Sequence, residues 1–283
     1  MSHGPFPATV VGNGPSVSTM GGNGVATGGS RFVSLVTWVS AGVALGSAAL
    51  TGVLGYWAQR RLRGAEERSL MATYGMSLAW AAYDLQSRFF NILRGQQIDE
   101  APGVSGGFVD AFLRRGDAEE RAYARRSTVF VIAEYLGWVE ILRRDVRFLD
   151  LGPSRTNRAV MARIFDVDKA FNRTAGSDAF RLFRGHQRAI GELMIHPEGG
   201  PGERRCLGFA EFSARLDGDE EFRRWFDGLL ADVDGLAEET RPAVARLTEI
   251  QHALIDLIEL LDPKGQRMPR FRARFRPAPT SWG

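Results

Sequence analysis

Residues Ser127–Leu142 read STVFVIAEYLGWVEIL. Apolar side chains lie nearly all round this run on a helical wheel. Its β-branched opening, Thr128–Ile132, suits a strand, but the apolar pattern outlasts the usual strand length of about 5–6 residues. Glu134 and Glu140 speak against a membrane span here, because a carboxylate in hydrocarbon is costly. The run is therefore expected to be the central helix of a bundle. It should begin near Asp117, whose carboxylate caps it with Glu120 three residues on, and continue to about Leu149.

The helical period extends in both directions. Met71, Tyr74, Leu78, Ala81, Leu85, Phe89 and Ile92 form one apolar stripe, with Asp84 and Arg88 one turn apart on the polar side. Gly95 ends that helix, and a glycine-rich connection with one brief helix around Phe108, Phe112 and Leu113 follows. Ser154 is expected to cap a third helix with Val160, Ile164, Val167 and Phe171 inward. Asp178 should cap a fourth, carrying Phe180, Phe183, Ile190 and Leu193. Pro197–Arg205 reads as an exposed loop. Further helices are expected over Leu207–Leu216 and Glu220–Leu236, and a last one from Arg241, with Pro242 in its first turn and Pro263 after its end. Six or seven helices and no strand predict an all-α, bundle-like domain over residues 65–262.

An N-terminal tail, 1–30, is rich in Gly, Ser, Thr and Pro and cannot bury enough apolar surface to fold. Its two Gly-Asn-Gly repeats follow no strand, so they are not read as phosphate loops. From Phe32 to Gln59, 28 residues pass without a charge. A bilayer core needs about 20 apolar residues, so 31–60 is expected to be a single transmembrane helix. Trp38, Tyr56 and Trp57 would lie at the interfaces. Arg60, Arg61 and Arg63 follow the span and only Arg31 precedes it, which predicts an outside N-terminus and a cytoplasmic C-terminal domain in the cell membrane. A signal peptide is the rival, but it wants its basic residues before the apolar run. Gly42 and Gly46, and again Ala48 and Gly52, stand four apart and offer a close-packing face for self-association.

The chain has 283 residues and a net charge of +3. Residues 1–64 and 264–283 carry four and six basic residues with no acid. The remaining 26 basic residues face 33 acids, so residues 65–263 carry a net −7. An acidic domain disfavours nucleic acid as a partner. With Lys169 and Lys264 as its only lysines, the chain has an arginine bias of the kind base composition produces. One cysteine, Cys206, allows no internal disulfide.

Chemistry-bearing motifs are sparse, and no cofactor or metal is expected. His186, His196 and Cys206 are too far apart for a zinc site. Glu249-x-x-His252 matches one of the two Glu-x-x-His motifs of a di-iron bundle, which also needs two more carboxylates, and the chain has no second such motif. Cys206 follows two arginines that would lower its pKa, yet no base lies near it in sequence. Buried in an apolar helix, Glu134 would have a raised pKa. Arg181, Arg184 and Arg188 share a helix face and offer guanidinium groups to a phosphate or carboxylate.

The segment 263–283 is expected to be a disordered basic tail in which Arg267, Arg270, Phe271, Arg272, Arg274, Phe275 and Arg276 contact anionic lipid. RNA is the competing ligand for such a segment. The sequence thus predicts a membrane-anchored interaction, scaffold or sensor domain with an unidentified protein partner. The opposing readings are an enzyme whose site assembles only in three dimensions and a tethered nucleic-acid binder. A deep pocket holding Glu134, His252 and an arginine would favour the enzyme.

Overall fold

A computed structural model describes residues 51–57, 59, 74–94, 107–147 and 155–277. The chain divides into two units, Met1–Gln59 and Arg60–Gly283. In the first, residues 51–57 are helical and expose Val53, Leu54, Tyr56 and Trp57. Gly42, Gly46, Ala48 and most of the predicted span lie outside the described residues. Gly52 is described, with open space where a Cβ would stand. Among the described residues no helix is long and apolar enough to cross a membrane.

The second unit is all-α. We number its helices α1 (74–94), α2 (Ala118–Arg147), α3 (Arg155–Asn172), α4 (Arg184–Leu193), α5 (Phe209–Gly218), α6 (Glu220–Arg223), α7 (Asp227–Glu238) and α8 (Arg241–Leu261). The brief helix expected near Phe112 is a π-helical turn, Val109–Arg114. Asp117 Oδ1 accepts the Glu119 and Glu120 N–H groups at 2.9 Å, and Glu120 Oε2 accepts the Asp117 N–H at 3.0 Å. Such a cap stabilises a helix by about 1 kcal/mol. The Ser127–Leu142 run is helical throughout, and Val129, Ile132, Ala133, Tyr135 and Leu136 are buried in the common core with α1, α3 and α8.

Glycines permit close contact with the central helix. A Cβ on Gly191 of α4 would stand 2.6 Å from the Leu136 carbonyl oxygen of α2. One on Gly137 of α2 would stand 2.7 Å from Cys206 Sγ. Small residues at these two positions let α4 and the 194–207 segment settle on the central helix.

Three helix boundaries differ from expectation, the first two because contacts with residues outside the helix take the backbone. The fourth helix starts at Arg184 rather than Asp178. Phe180 has φ +56° and a fully buried ring against Phe89, and its N–H donates to Asp232 Oδ2 at 2.9 Å. That left-handed backbone is strained for a bulky residue and stops any earlier start. The fifth helix starts at Phe209, because Leu207 N–H donates to Met194 O at 2.8 Å and closes a hairpin over 195–206. The predicted sixth helix is split into α6 and α7, with i to i+3 bonds from Trp225 and Phe226 between them.

The 197–205 loop is anchored by a buried polar cluster. Asp145 of α2 accepts from Tyr74 Oη (2.7 Å), Gly202 N–H (2.9 Å) and Arg204 Nε (2.8 Å). Burial first, then the bond to Asp145, pushes the Tyr74 hydroxyl up to about 12. It therefore stays a neutral donor.

The expectation of a disordered tail is corrected over 263–277, which lies as an ordered strap on α1 and α8. Asp262 accepts the Gln266, Arg267 and Met268 N–H groups at 3.1–3.3 Å and pairs with Arg272 at 2.9 Å. Burial works against its ionised form, but these backbone donors and the guanidinium hold its carboxyl below the ordinary range. Further along, Gln251 donates to Ala273 O at 2.8 Å and accepts the Phe275 N–H at 3.2 Å. Two side-chain atoms of one glutamine thus take the place of a neighbouring strand. Phe275 and Met268 are buried, and Phe271 meets Phe90 edge-on at 5.0 Å.

Candidate functional site

A cleft of about 560 Å³ opens where α2, α3 and α4 meet. Its apolar wall is Leu136 and Val139 of α2 with Met161 and Phe165 of α3. Leu136 and Val139 are core residues at its floor, while Met161 is half-buried and Phe165 exposed. Charged groups stand around them. Arg143 bridges Glu140 (3.1 Å) and Asp168 (3.2 Å), while Arg184 stacks on Phe165 with its guanidinium carbon 4.8 Å from the ring centre. Arg188 is exposed, and its nearest carboxylate oxygens, on Glu140 and Glu192, are 3.8 and 3.9 Å away. That is ion-pair range without a hydrogen bond.

The α4 helix begins at this cleft. Phe183 occupies its N-cap position and supplies no side-chain acceptor, and a Cβ on Gly185 would meet nothing within 4 Å. Unbonded N–H groups of a first turn favour an anion. Gln187, one turn in, is only 5 % exposed. Its Nε2 donates to Asp168 O (3.1 Å) and Leu182 O (2.8 Å), and its Oε1 has no hydrogen-bond partner. The amide cannot turn round, since its oxygen would then face two carbonyls. A buried acceptor left in that state costs about 1–3 kcal/mol.

Burial raises the Asp168 carboxyl above its ordinary value, with Arg143 and Arg184 opposing. Tyr135, wholly buried, is held well above the phenol range by burial and then by Asp168. Its hydroxyl also lacks a partner. The cleft therefore combines guanidinium groups, a helix start and an apolar wall.

Of the three arginines expected on one face, Arg184 and Arg188 line this cleft. Arg181 does not. It pairs with Asp178 at 2.5 Å and lines a separate cleft of about 240 Å³ with His186, Trp225 and Asp232. The helix starts after Arg181, so the supposed common face ends there.

The other sequence candidates hold the fold. Glu249 pairs with Arg173 at 2.7 Å, whereas the His252 ring meets Phe275 O at 2.8 Å. His186 lies against Trp225, while His196 stands 3.5 Å from Glu211, so the supposed zinc trio is not brought together. Among the described residues no group of three or more His, Cys, Asp or Glu is arranged to hold a metal ion. Cys206 is buried, and burial, then the Glu134 charge, raises its pKa rather than lowering it. Burial, then Asp84, pushes Glu134 up to about 7. Neither Glu134 nor His252 lines the α2–α3–α4 cleft or the cleft beside Arg181.

In the strap, Arg272 is bound to Asp262, and Arg274 reaches Asp256 (2.6 Å) and Glu259 (3.3 Å). Arg267, Arg270 and Arg276 are exposed, and Arg267 also reaches Met76 Sδ of α1 at 3.9 Å. Sequence reasoning missed Arg143, Asp168 and Gln187 because they come from three helices at unrelated spacings. Gln187 carried no signal, since a glutamine among arginines reads as solvated surface.

No family model, curated protein or solved structure matches this chain.

Proposed function

We propose that the protein is a membrane-anchored, non-catalytic sensor or interaction module whose all-α domain recognises its ligand in the α2–α3–α4 cleft. The observation that carries this reading is the make-up of the cleft: exposed guanidinium groups beside an apolar wall, which is recognition chemistry. Glu140 and Asp168 are engaged by arginines, so they position charge rather than stand ready as a base. The uncharged run 32–59 and the arginines after it support a single span with the domain on the cytoplasmic side. The exposed Arg267, Arg270 and Arg276 of the strap suit an anionic leaflet, each adding about 1 kcal/mol when close to it. Self-association through Gly42, Gly46, Ala48 and Gly52 belongs to the same reading. Engagement of Arg272 and Arg274 by acids speaks against the nucleic-acid alternative.

Protease treatment of intact spheroplasts and opened membranes, with a tag at each end, tests the topology. A C-terminal tag cut only after opening agrees with it. Cutting in intact spheroplasts would make the domain an external one and end this reading.

A further inference from the structure

We infer that the cleft beside α7, lined by Asp232 and Trp225, binds a small organic ammonium ion with an apolar body. This site is separate from the α2–α3–α4 cleft and stands whether or not that cleft takes a ligand. Asp232 supplies its charge. Oδ2 accepts the Phe180 N–H at 2.9 Å, which fixes the carboxylate. The left-handed backbone of Phe180, φ +56°, is strained for a bulky residue, and strain of this kind gathers at ligand sites. Asp232 is half-buried, and its Oδ1 accepts no hydrogen bond among the described residues and is not sealed from solvent. Arg246 acts on it through charge alone, since its fork is spent on backbone carbonyls. A half-buried carboxylate with an open oxygen and no ion pair calls for a cationic donor.

Aromatic rings make the wall. Phe183, His186 and Trp225 follow one another at centroid distances of 6.0 Å, tilted and then edge-on. Their faces suit cations: Arg181 stands over Phe183 at 5.0 Å and Arg224 over Trp225 at 5.9 Å. Asp178 neutralises Arg181. Trp225, Gly228 and Asp232 stand three and four residues apart, so Trp225 and the Arg224 charge over it lie at one end of a stripe and Asp232 at the other. Between them, a Cβ on Gly228 would meet nothing within 4 Å, which leaves the middle of the cleft open. Asp227, Asp232, Asp234 and Glu238 are the only charged side chains of α7, and their field draws a cation in. The volume of about 240 Å³ is below the ~300–1,000 Å³ of drug-sized pockets, so the ion is small.

Isothermal titration of the full chain in an uncharged detergent tests this, with 2-phenylethylammonium as the probe. It is run at pH 8, above the value of about 6 to which burial lifts the Asp232 carboxyl. One saturable site is expected. Replacing the ammonium by a hydroxyl, as in 2-phenylethanol, should weaken binding about tenfold. Removing the ring, as in methylammonium, should weaken it as well. Asp232→Asn keeps an acceptor for the Phe180 N–H and should weaken the probe about tenfold. Gly228→Leu fills the open middle of the cleft and should abolish binding, while leucine is the better helix former at that position. It carries the test if the first variant does not fold.

Failure of the probe to saturate a site overturns the inference, as does equal binding of 2-phenylethanol or methylammonium. A folded Asp232→Asn or Gly228→Leu chain that keeps the native affinity overturns it too, because the ion would then sit elsewhere.

Discussion

Arg246 and Arg184 are both guanidinium groups beside a helix end, and they behave as opposites. Arg246, on α8, is 6 % exposed and has no carboxylate in its fork. It donates to the carbonyls of Ala170, Phe171, Arg173, Ser177 and Ala179. Those are the last carbonyls of α3 and the turn beyond it, where a cation is favoured by the helix dipole. Arg184 begins α4, lies exposed on Phe165 and looks into a cleft. The first is a structural bolt, the second an exposed group lining a cleft. Arginine content alone therefore says little about function; what the guanidinium is bonded to decides it.

The largest effect should come from breaking the bolt. Arg246→Met orphans several carbonyls at once and should cost about 3 kcal/mol, read as a lowered urea midpoint by tryptophan fluorescence. Lysine at the same position should recover less than half, because one ammonium cannot reach the whole fan of acceptors. Methionine without loss of stability would mean that water replaces the guanidinium, and the contrast with Arg184 would collapse.

Gly191→Ala acts on the other region. Its new Cβ meets the Leu136 carbonyl and Glu140 Cβ, so α4 must move off α2, at a cost of about 1–3 kcal/mol. Altered tryptophan fluorescence of Trp138 on α2 should accompany the loss. An unchanged unfolding midpoint would show that the helix pair tolerates a wider spacing.

A smaller effect should distinguish the two regions by pH. Burial raises the Asp232 carboxyl to about 6, while the Phe180 N–H and Arg246 oppose it. A carboxyl whose folded pKa is raised binds its proton more tightly in the folded state. Its stabilising contribution is therefore complete below the unfolded value, about 3.9, and is lost as pH rises through about 6. Asp232→Asn should gain stability over the native chain at pH 8 and not at pH 4. The same gain at both pH values would assign the effect to packing rather than to ionisation. Smallest of all, Arg184→Met should change stability by less than about 0.5 kcal/mol. A loss comparable to that of Arg246→Met would turn the recognition group into a second bolt.

Helix α2 was legible because two local signals agree there: a capping box at Asp117 and Glu120, and an apolar run too long for a strand. Helix α3 was legible through Val160, Ile164, Val167 and Phe171, all buried as their spacing requires. The start of α4 was not, because Asp178 is a good cap by local chemistry. It loses to Asp232 and Arg246, 50 or more residues away, which take the N–H and carbonyls that a helix would use. The strap was misread for the same kind of reason. Seven residues alternating arginine with apolar groups look solvated until Asp262, Gln251 and the acids of α8 lie beside them. Half of the cleft was visible as Arg184 and Arg188. The rest was not, since Arg143, Asp168 and Gln187 meet only through the crossing of α2, α3 and α4.

By itself the sequence determined the all-α class, the central helix and the uneven charge of ends and middle, because periodicity, capping and net charge are local or additive properties. Tertiary structure alone decided which arginines are bolts, where the 263–277 segment lies and which side chains line the cleft. A guanidinium or an amide takes its role from partners brought by other helices, and no spacing along the chain encodes which partners those are.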